Sequence, residues 1–181
     1  MGTLKDHIAS HVCLEEEAKH FTSQILQGVR YLHENGILHR DIKSSNILMQ
    51  SETKVKISDF GLSKILKDQR NIDLSTSVGT VFYMAPEVLK TETVVIYPTK
   101  ADIWSIGCTV VEMITGMPPY AKDYSCFQVK GRIAANEMPE YELPQSASDA
   151  LKDFLKRIFK RNPCERPSAE KLLEHIFIVD K

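Results

Sequence analysis

The apolar residues of this chain have helical spacing over two long stretches. In CLEEEAKHFTSQILQGVRYLHENG, residues 13–36, they recur every three or four positions, which predicts an amphipathic helix ended by Asn35 and Gly36. TKADIWSIGCTVVEMITG, residues 99–116, is apolar around most of its circumference, so we expect a central helix with Thr99 as its N-cap. The predicted buried stripe of the first helix consists of Leu14, Ala18, Phe21, Ile25, Val29 and Leu32.

The rest of the pattern predicts shorter elements. NILMQ and KVKIS are two strands around a polar turn, and in the second strand apolar and lysine positions alternate. From residue 61 to 84 there is no lasting periodicity, and loops of this length tend to be functional or disordered. We therefore expect one domain that is mainly α and α+β overall. The predicted short helices lie within 124–135, at 147–160 after the cap candidate Ser146, and at 169–176 after Ser168.

Composition and charge exclude several classes of protein. The chain has 181 residues and a formal net charge of −1, which gives no electrostatic case for binding nucleic acid. No apolar run approaches the roughly 18–20 residues that span a bilayer, so we expect no membrane insertion. The four cysteines are scattered, and no pair has the spacing of metal ligands or of a redox motif. We therefore expect reduced thiols in a cytoplasmic protein.

The candidate chemistry lies between the two long helices. LHRDIKSSNIL, residues 38–48, combines basic, acidic and amide side chains, and Asp-Phe-Gly at 59–61 and Ala-Pro-Glu at 85–87 follow it. Transfer of a phosphoryl group to a hydroxyl needs a carboxylate to accept the proton, oxygen ligands for magnesium, and a cation near the phosphates. The residues of these types are Asp41, Lys43, Asn46 and Asp59.

These motifs, in this order and spacing, resemble the C-terminal lobe of a eukaryotic protein kinase catalytic domain. The resemblance covers essentially the whole chain. It implies a kinase C-lobe over residues 1–181, with small β-hairpins around a catalytic loop at 38–48, the DFG motif at 59–61, and an activation segment at 59–87.

The resemblance assigns roles at the expected site of phosphoryl transfer. It implies that Asp41 is the catalytic base, whereas an isolated Asp here could equally be a turn cap. Lys43 is expected to contact the transferred phosphate, and Asn46 and Asp59 are expected to hold Mg²⁺ together with ATP. Leu48 resembles the residue that packs beneath the adenine ring, although an ordinary core leucine would look identical in the sequence.

Further residues resemble the regulatory and substrate-reading parts of kinases. Arg40, directly before the base, is typical of kinases whose activation loop is ordered by phosphorylation, because a phosphate can form charge-assisted bonds to a guanidinium. Thr76 best matches the phosphorylated position, and the alternative is that this is only a solvated loop hydroxyl. Thr80 resembles the threonine that contacts the base and the lysine in serine/threonine kinases.

Five residues are expected to support the site. By resemblance, His39 packs beside Phe60, and Glu87 forms a buried ion pair with Arg166. Asp102 has two interpretations. It could complete a capping box that starts at Thr99, or it could accept hydrogen bonds from the catalytic-loop backbone as in the family.

Within the family, the segments GTVFYMAPEVL and NPCERPSAEKLLEH look most like the mitogen-activated protein kinase kinase kinase group. This implies a serine/threonine protein kinase that transfers phosphate from ATP to a protein substrate. The candidate substrate that the resemblance suggests is a mitogen-activated protein kinase kinase in a signalling cascade.

The chain contains no G-x-G-x-x-G sequence and no strand lysine ahead of the catalytic loop. We therefore expect that the N-terminal lobe is absent and that the 181 residues alone are inactive or severely impaired. Either the missing lobe or a partner would cover its interface. The alternative function is a non-catalytic C-lobe that acts as a protein-interaction module.

Overall fold

The computed structural model describes residues 2–65, 80–89, 98–135 and 138–179. Within these ranges the chain forms seven α-helices and four short strands, so the prediction of a mainly helical α+β fold is confirmed. The helices are α1 (Leu4–Ser10), α2 (Glu15–Glu34), α3 (Thr99–Thr115), α4 (Cys126–Ala134), α5 (Asp149–Ile158), α6 (Ala169–Leu173) and α7 (Ile176–Val179). The strands are β1 (Ile37–Leu38), β2 (Ile47–Ser51), β3 (Lys54–Ile57) and β4 (Lys64–Ile65).

Helix α2 follows the predicted amphipathic pattern except at its start. Five of the six predicted stripe residues, from Ala18 to Leu32, are buried. The prediction for Leu14 is wrong, because this residue is the extended N-cap of the helix and its side chain is 79% exposed. At the other end, Gly36 adopts φ 71°, a left-handed conformation that glycine takes without the strain of a side chain, and the helix stops.

Helix α3 lies at the centre of the fold, as predicted. It packs against α2 and α5, and most of its residues are buried. The prediction that Thr99 caps it is wrong, because the N-cap is Pro98 and Thr99 is already the first helical residue. Gly107 lets α5 approach closely, since a Cβ at this position would collide with the side chain of Ile158.

Two small antiparallel sheets lie on either side of the candidate loop. The predicted hairpin is formed by β2 and β3, with Ile47 opposite Ile57 and a register shift between Met49 and Ser51. The second sheet pairs β1 with β4 and is not a hairpin, because the two strands are far apart in the chain. Together the sheets bring the segments on both sides of Asp59 next to the loop between β1 and β2.

The N-terminal segment, which had no predicted element, is the helix α1. Thr3 and Asp6 form a reciprocal capping box at its start. Just ahead of the helix, Thr3 forms a β-bridge with Leu48, and the amide of Met49 donates to the carbonyl of Gly2. Helix α1 is thereby attached to the edge of β2.

The late helices differ in detail from the prediction. Helix α4 lies within 124–135 as expected. Helix α5 is capped by Ser148, whose hydroxyl accepts from the amide of Leu151 at 3.0 Å, so the assignment of Ser146 is wrong. The predicted helix at 169–176 consists of two helices, α6 and α7, and Ser168 caps the first. Among the described residues, no helix is both long and apolar enough to cross a membrane.

Candidate active site

The carboxylate of Asp41 lies at the centre of a hydrogen-bonded network. The ammonium of Lys43 is 2.8 Å from Oδ2, and the amide Nδ2 of Asn46 donates to the same oxygen at 2.8 Å. The hydroxyl of Thr80, 39 residues further along, donates to Oδ1 at 3.2 Å and accepts from Lys43 Nζ at 2.9 Å. The structure thus brings together four of the residues singled out in the sequence.

These contacts fix the orientation of the Asp41 side chain. Asp41 is only 7% exposed, and three donors contact its two oxygens. Asn46 also donates to the main-chain carbonyl of Asp41 at 2.8 Å, so a second bond holds the two residues together within the loop. A carboxylate held in this way is already ordered before any ligand binds.

Asn46 and Asp59 are the candidate ligands for a hard cation. Because the Nδ2 of Asn46 makes both bonds to Asp41, its Oδ1 is left for another contact. The segment that leads to Asp59 is tied to Asn46, since both the amide and the hydroxyl of Ser58 donate to the Asn46 carbonyl at 2.9 Å. Asp59 is exposed, and its carboxylate accepts from the amide of Gly61 at 3.2 Å. An amide oxygen and a carboxylate are the donors that Mg²⁺ prefers, so the residues present fit this ion.

The backbone at Asp59 is strained. Its φ of 61° and ψ of 75° place a residue with a side chain in the left-handed region. Such conformations cost about 1–3 kcal/mol and are concentrated at functional sites. The turn directs the following residues into a short 3₁₀ helix, Phe60–Leu62.

His39 holds the loop in place. It is fully buried, its Nδ1 accepts from the amide of Asp41 at 3.3 Å, and its Nε2 lies 3.0 Å from the carbonyl of Ser58. A ring that accepts at Nδ1 and donates at Nε2 is neutral with both nitrogens engaged, so it is not placed to transfer protons. The ring packs edge-on against Phe60, with 5.1 Å between the centroids.

Asp102, on α3, fixes the backbone next to Asp41. Its carboxylate accepts from the amides of His39 at 3.1 Å and Arg40 at 2.8 Å, and it also lies 2.9 Å from Nε2 of His33. The capping-box interpretation is wrong, because Pro98 is the N-cap and Asp102 lies one position beyond the capping-box residue. The structure has the second arrangement, in which α3 accepts hydrogen bonds from the loop.

Arg40 adopts φ 69°, a strained conformation for a residue with a side chain. The hydrogen bond from its amide to Asp102 holds it there. Burial lowers the pKa of the Arg40 guanidinium, and the charge of Asp102 partly opposes this effect. Within the part of the chain that the structure describes, no carboxylate forms an ion pair with Arg40. Its expected partner, Thr76, lies outside the described residues.

Glu87 and Arg166 form the expected ion pair. The two guanidinium Nη atoms of Arg166 donate to the two carboxylate oxygens of Glu87 at 2.7 and 3.2 Å. The Nε of Arg166 donates to the carbonyl of Lys160 at 3.1 Å, and the guanidinium lies 5.0 Å from the ring centre of Trp104. Because Arg166 is fully buried, this pair fixes the segment after Thr80 to the late helices.

One buried carboxylate, Glu112, was not predicted from the sequence. Glu112, on α3, accepts from the hydroxyls of Ser44 and Tyr83, each at 2.8 Å. Burial raises the pKa of Glu112, and the two hydroxyl bonds partly counteract it. The signal was a glutamate in the middle of the apolar run TVVEMIT. Glu112 connects the loop of Asp41 with the 3₁₀ helix of Thr80, Thr80–Tyr83.

The remaining predicted residues, Leu48 and Phe60, lie at the surface. Leu48 is 44% exposed and Phe60 is 49% exposed, so neither is an ordinary core residue in this chain. Beside Phe60, an open groove of about 290 Å³ runs between α2 and β3 and is lined by Ile25, Tyr31 and Ile57 among others.

Comparison with known proteins identifies the family. Residues 1–178 match the model of the protein kinase domain, and the chain therefore belongs to the protein kinase domain family. Kinases of this family use ATP and Mg²⁺ in general.

The chain is similar to the human mitogen-activated protein kinase kinase kinase 3, with 43% identity over 179 residues, which are 97% of this chain and 28% of that protein. It is 44% identical over 158 residues to the Arabidopsis thaliana mitogen-activated protein kinase kinase kinase 1, covering 87% of this chain and 25% of that protein. It is also 45% identical over 162 residues to the cytokinesis protein sepH of Aspergillus niger, covering 88% of this chain and 11% of that protein. The predicted resemblance to this kinase group is confirmed, and the chain spans about a quarter or less of the length of these relatives.

Proposed function

We propose that this chain is the C-terminal lobe of a serine/threonine protein kinase that transfers the γ-phosphoryl group of ATP to a hydroxyl of a protein substrate. The observation that carries the proposal is the Asp41 carboxylate, held by Lys43, Asn46 and Thr80 at 2.8–3.2 Å. The lobe comprises residues 1–181, with the catalytic loop at 38–48, the DFG motif at 59–61 and the activation segment at 59–87.

Each member of the network has a distinct task. Asp41 accepts the proton of the substrate hydroxyl, and its fixed orientation shortens the search for a reactive geometry. Lys43 presents a positive charge next to the base, where negative charge develops on the transferred group. Thr80 holds the substrate-binding segment against both residues.

Asn46 Oδ1 and Asp59 would hold Mg²⁺. When bound, this ion neutralises phosphate charge and orients the phosphates of ATP. Leu48 presents a half-exposed apolar side chain that suits the face of the adenine ring.

We also propose that phosphorylation of Thr76 regulates the protein. The guanidinium of Arg40 is the group that binds the phosphate carried by Thr76. The support is the Arg40 guanidinium, which is partly buried and has no carboxylate partner among the described residues. Thr76→Ala should lower activity, whereas Ser77→Ala, the matched control, should not. Equal activity of Thr76→Ala and the unmodified protein would reject this role.

The protein substrate is proposed from similarity alone. Two relatives carry the name mitogen-activated protein kinase kinase kinase, which supports a mitogen-activated protein kinase kinase as the substrate and a cytoplasmic signalling cascade as the setting.

The test of the catalytic proposal is Asp41→Asn in the full-length protein, assayed for transfer of labelled phosphate. Loss of a general base lowers the rate by about 10²–10⁴-fold, and we expect a loss in this range. Asp149→Asn is the matched control, because the Asp149 carboxylate is fully exposed and lies on α5. If Asp41→Asn retained the activity of that control, Asp41 would not be the base.

The exposed surface around Leu48 and Phe60 favours a second candidate, a non-catalytic interaction module. By family resemblance, this surface is where an N-terminal lobe packs, and either that lobe or a partner would cover it. The two candidates differ in one measurement. If the protein is an interaction module, the wild type and the Asp41→Asn variant should bind the partner equally well. Neither of them should transfer phosphate.

A further inference from the structure

A group of potential metal ligands lies on the side of the fold formed by α1 and the start of α2. His7 on α1, Cys13 in the connection and Glu17 on α2 each offer one ligand atom, and these atoms lie within 4.8 Å of one another. The Nε2 of His7 is 2.9 Å from Oε1 of Glu17. None of these residues belongs to the Asp41 network.

We propose that His7, Cys13 and Glu17 form a binding site for a divalent transition metal of the zinc type. Thiolate sulfur, imidazole nitrogen and a carboxylate oxygen are together the ligand set of Zn²⁺ in proteins. The same set is unsuited to Mg²⁺, which requires a shell of oxygen atoms. The site is therefore chemically distinct from the one proposed at Asn46 and Asp59.

His11 is the candidate for a fourth ligand, next to the three residues whose ligand atoms lie within 4.8 Å of one another. Its Nε2 is 3.6 Å from Oε2 of Glu17, and its ring centre lies 4.1 Å from that of His7. The Nδ1 of His11 is 3.3 Å from the hydroxyl of Ser10, which in turn donates to the carbonyl of His7 at 2.6 Å. A hydrogen bond to the second ring nitrogen is the usual way in which a protein orients a ligating histidine.

The thiol of Cys13 exchanges its proton for the metal. The sulfur of Cys13 lies within 4.8 Å of the Glu17 carboxylate oxygen that would share the metal. On binding, the S–H bond is replaced by a metal–sulfur bond and the proton passes to solvent. The cation also removes the repulsion between the thiolate and the carboxylate.

The position of the group gives the metal a structural role. Cys13 is 4% exposed, and its amide donates to the carbonyl of Met113 at the end of α3. A metal held by His7 and Glu17 would therefore join α1 to α2 beside α3. Because the residue before α1 bridges to Leu48, the metal would also brace the edge of β2.

The experiment is titration of the tag-free, metal-depleted full-length protein with Co²⁺, which reports a sulfur ligand by an intense thiolate-to-metal absorption band. We expect this band for wild type and for Cys164→Ser, the matched control, because Cys164 is exposed and remote from the cluster in sequence. Cys13→Ser should lose the band. Zn²⁺ should displace Co²⁺, and Mg²⁺ should not.

The other ligands are tested by affinity. Loss of a partner in the outer shell of a metal site lowers affinity by about 10–100-fold, so loss of a direct ligand in Glu17→Gln or His11→Ala should lower it at least tenfold. His20→Ala is the matched control, since His20 binds the carbonyl of Thr53 instead. Thermal unfolding without metal, compared with wild type, shows that each variant is folded. The proposal is overturned if the band persists in Cys13→Ser, if no band forms with wild type, or if Glu17→Gln binds as tightly as His20→Ala.

Discussion

Replacing Asp102 by Asn should reveal how much of the site is held from below by α3. The carboxylate accepts from two backbone amides and faces the ring of His33, all within 2.8–3.1 Å. An Asn side chain has one acceptor oxygen, so its NH₂ group must face a donor at the other position. The variant therefore loses a charge-assisted hydrogen bond and leaves a buried N–H without a partner.

The size of the effect follows from these contacts. A hydrogen bond to a charged group contributes about 1.5–3 kcal/mol, and a buried donor without a partner costs about 1–3 kcal/mol. We expect a loss of about 3–5 kcal/mol in the free energy of unfolding, because the two terms overlap. At about 2–4 °C per kcal/mol for a chain of this size, the midpoint of thermal unfolding should fall by about 6–20 °C.

The loss should also reach Asp41. Arg40 is held at φ 69° by one of the two amide bonds, so relaxation of this residue displaces Asp41. A displacement of about 1 Å can cost about 100-fold in rate, and we expect kcat to fall by about 10–100-fold at a temperature where the variant is folded.

His33→Phe is the control for Asp102→Asn. It removes the contact of the His33 ring with Asp102 but leaves both backbone amides bonded, so it should cost about 1–2 kcal/mol and little of kcat. The reasoning is refuted if Asp102→Asn and His33→Phe unfold at the same temperature, or if Asp102→Asn loses stability without any loss of kcat.

Three further changes test other contacts. Glu87→Gln should lower the free energy of unfolding by about 3–5 kcal/mol in urea denaturation, because it leaves the buried guanidinium opposite it without a counter-charge. Burial raises the pKa of Glu112 above its ordinary 4.5, so the folded protein binds its proton more tightly and stability should fall as the pH rises from 4.5 towards the raised value. The Glu112→Gln variant should lack this dependence of stability on pH. If the variant shows the same dependence as wild type, Glu112 is not its source. Thr80→Ala should lower kcat by about tenfold, whereas Thr80→Ser, which keeps the hydroxyl between Asp41 and Lys43, should restore it.

The sequence predicted the fold where periodicity decides it. Apolar spacing predicts helices α2 and α3 and the hairpin of β2 and β3. Gly36 and Gly116, both at positive φ, mark the ends of the two helices. The N-caps of α3 and α5 were misassigned by one or two residues, because neighbouring Ser, Thr and Pro residues offer similar local signals. The tertiary contact of Ser148 with Glu15, on α2, adds to its local cap bond and cannot be seen in the local sequence.

The site was predictable where ordered motifs carry it, and not where it depends on long-range contacts. Asp41 and Asn46 lie five residues apart, so their contact follows from the loop. The contact of Ser44 with Glu112 spans 68 residues and depends on how α3 packs. Likewise, the cluster around Cys13 combines three residue types from three segments, which a search for cysteine pairs does not find.

The hydrogen bonds of Thr80 link two segments that are 39 residues apart. One hydroxyl orients the Asp41 carboxylate and also anchors the segment that contains Thr80, so the order of these two parts of the chain is thermodynamically coupled. Any event that orders Thr80 favours the oriented form of Asp41. By reciprocity, any ligand that favours this form of Asp41 also orders the segment around Thr80.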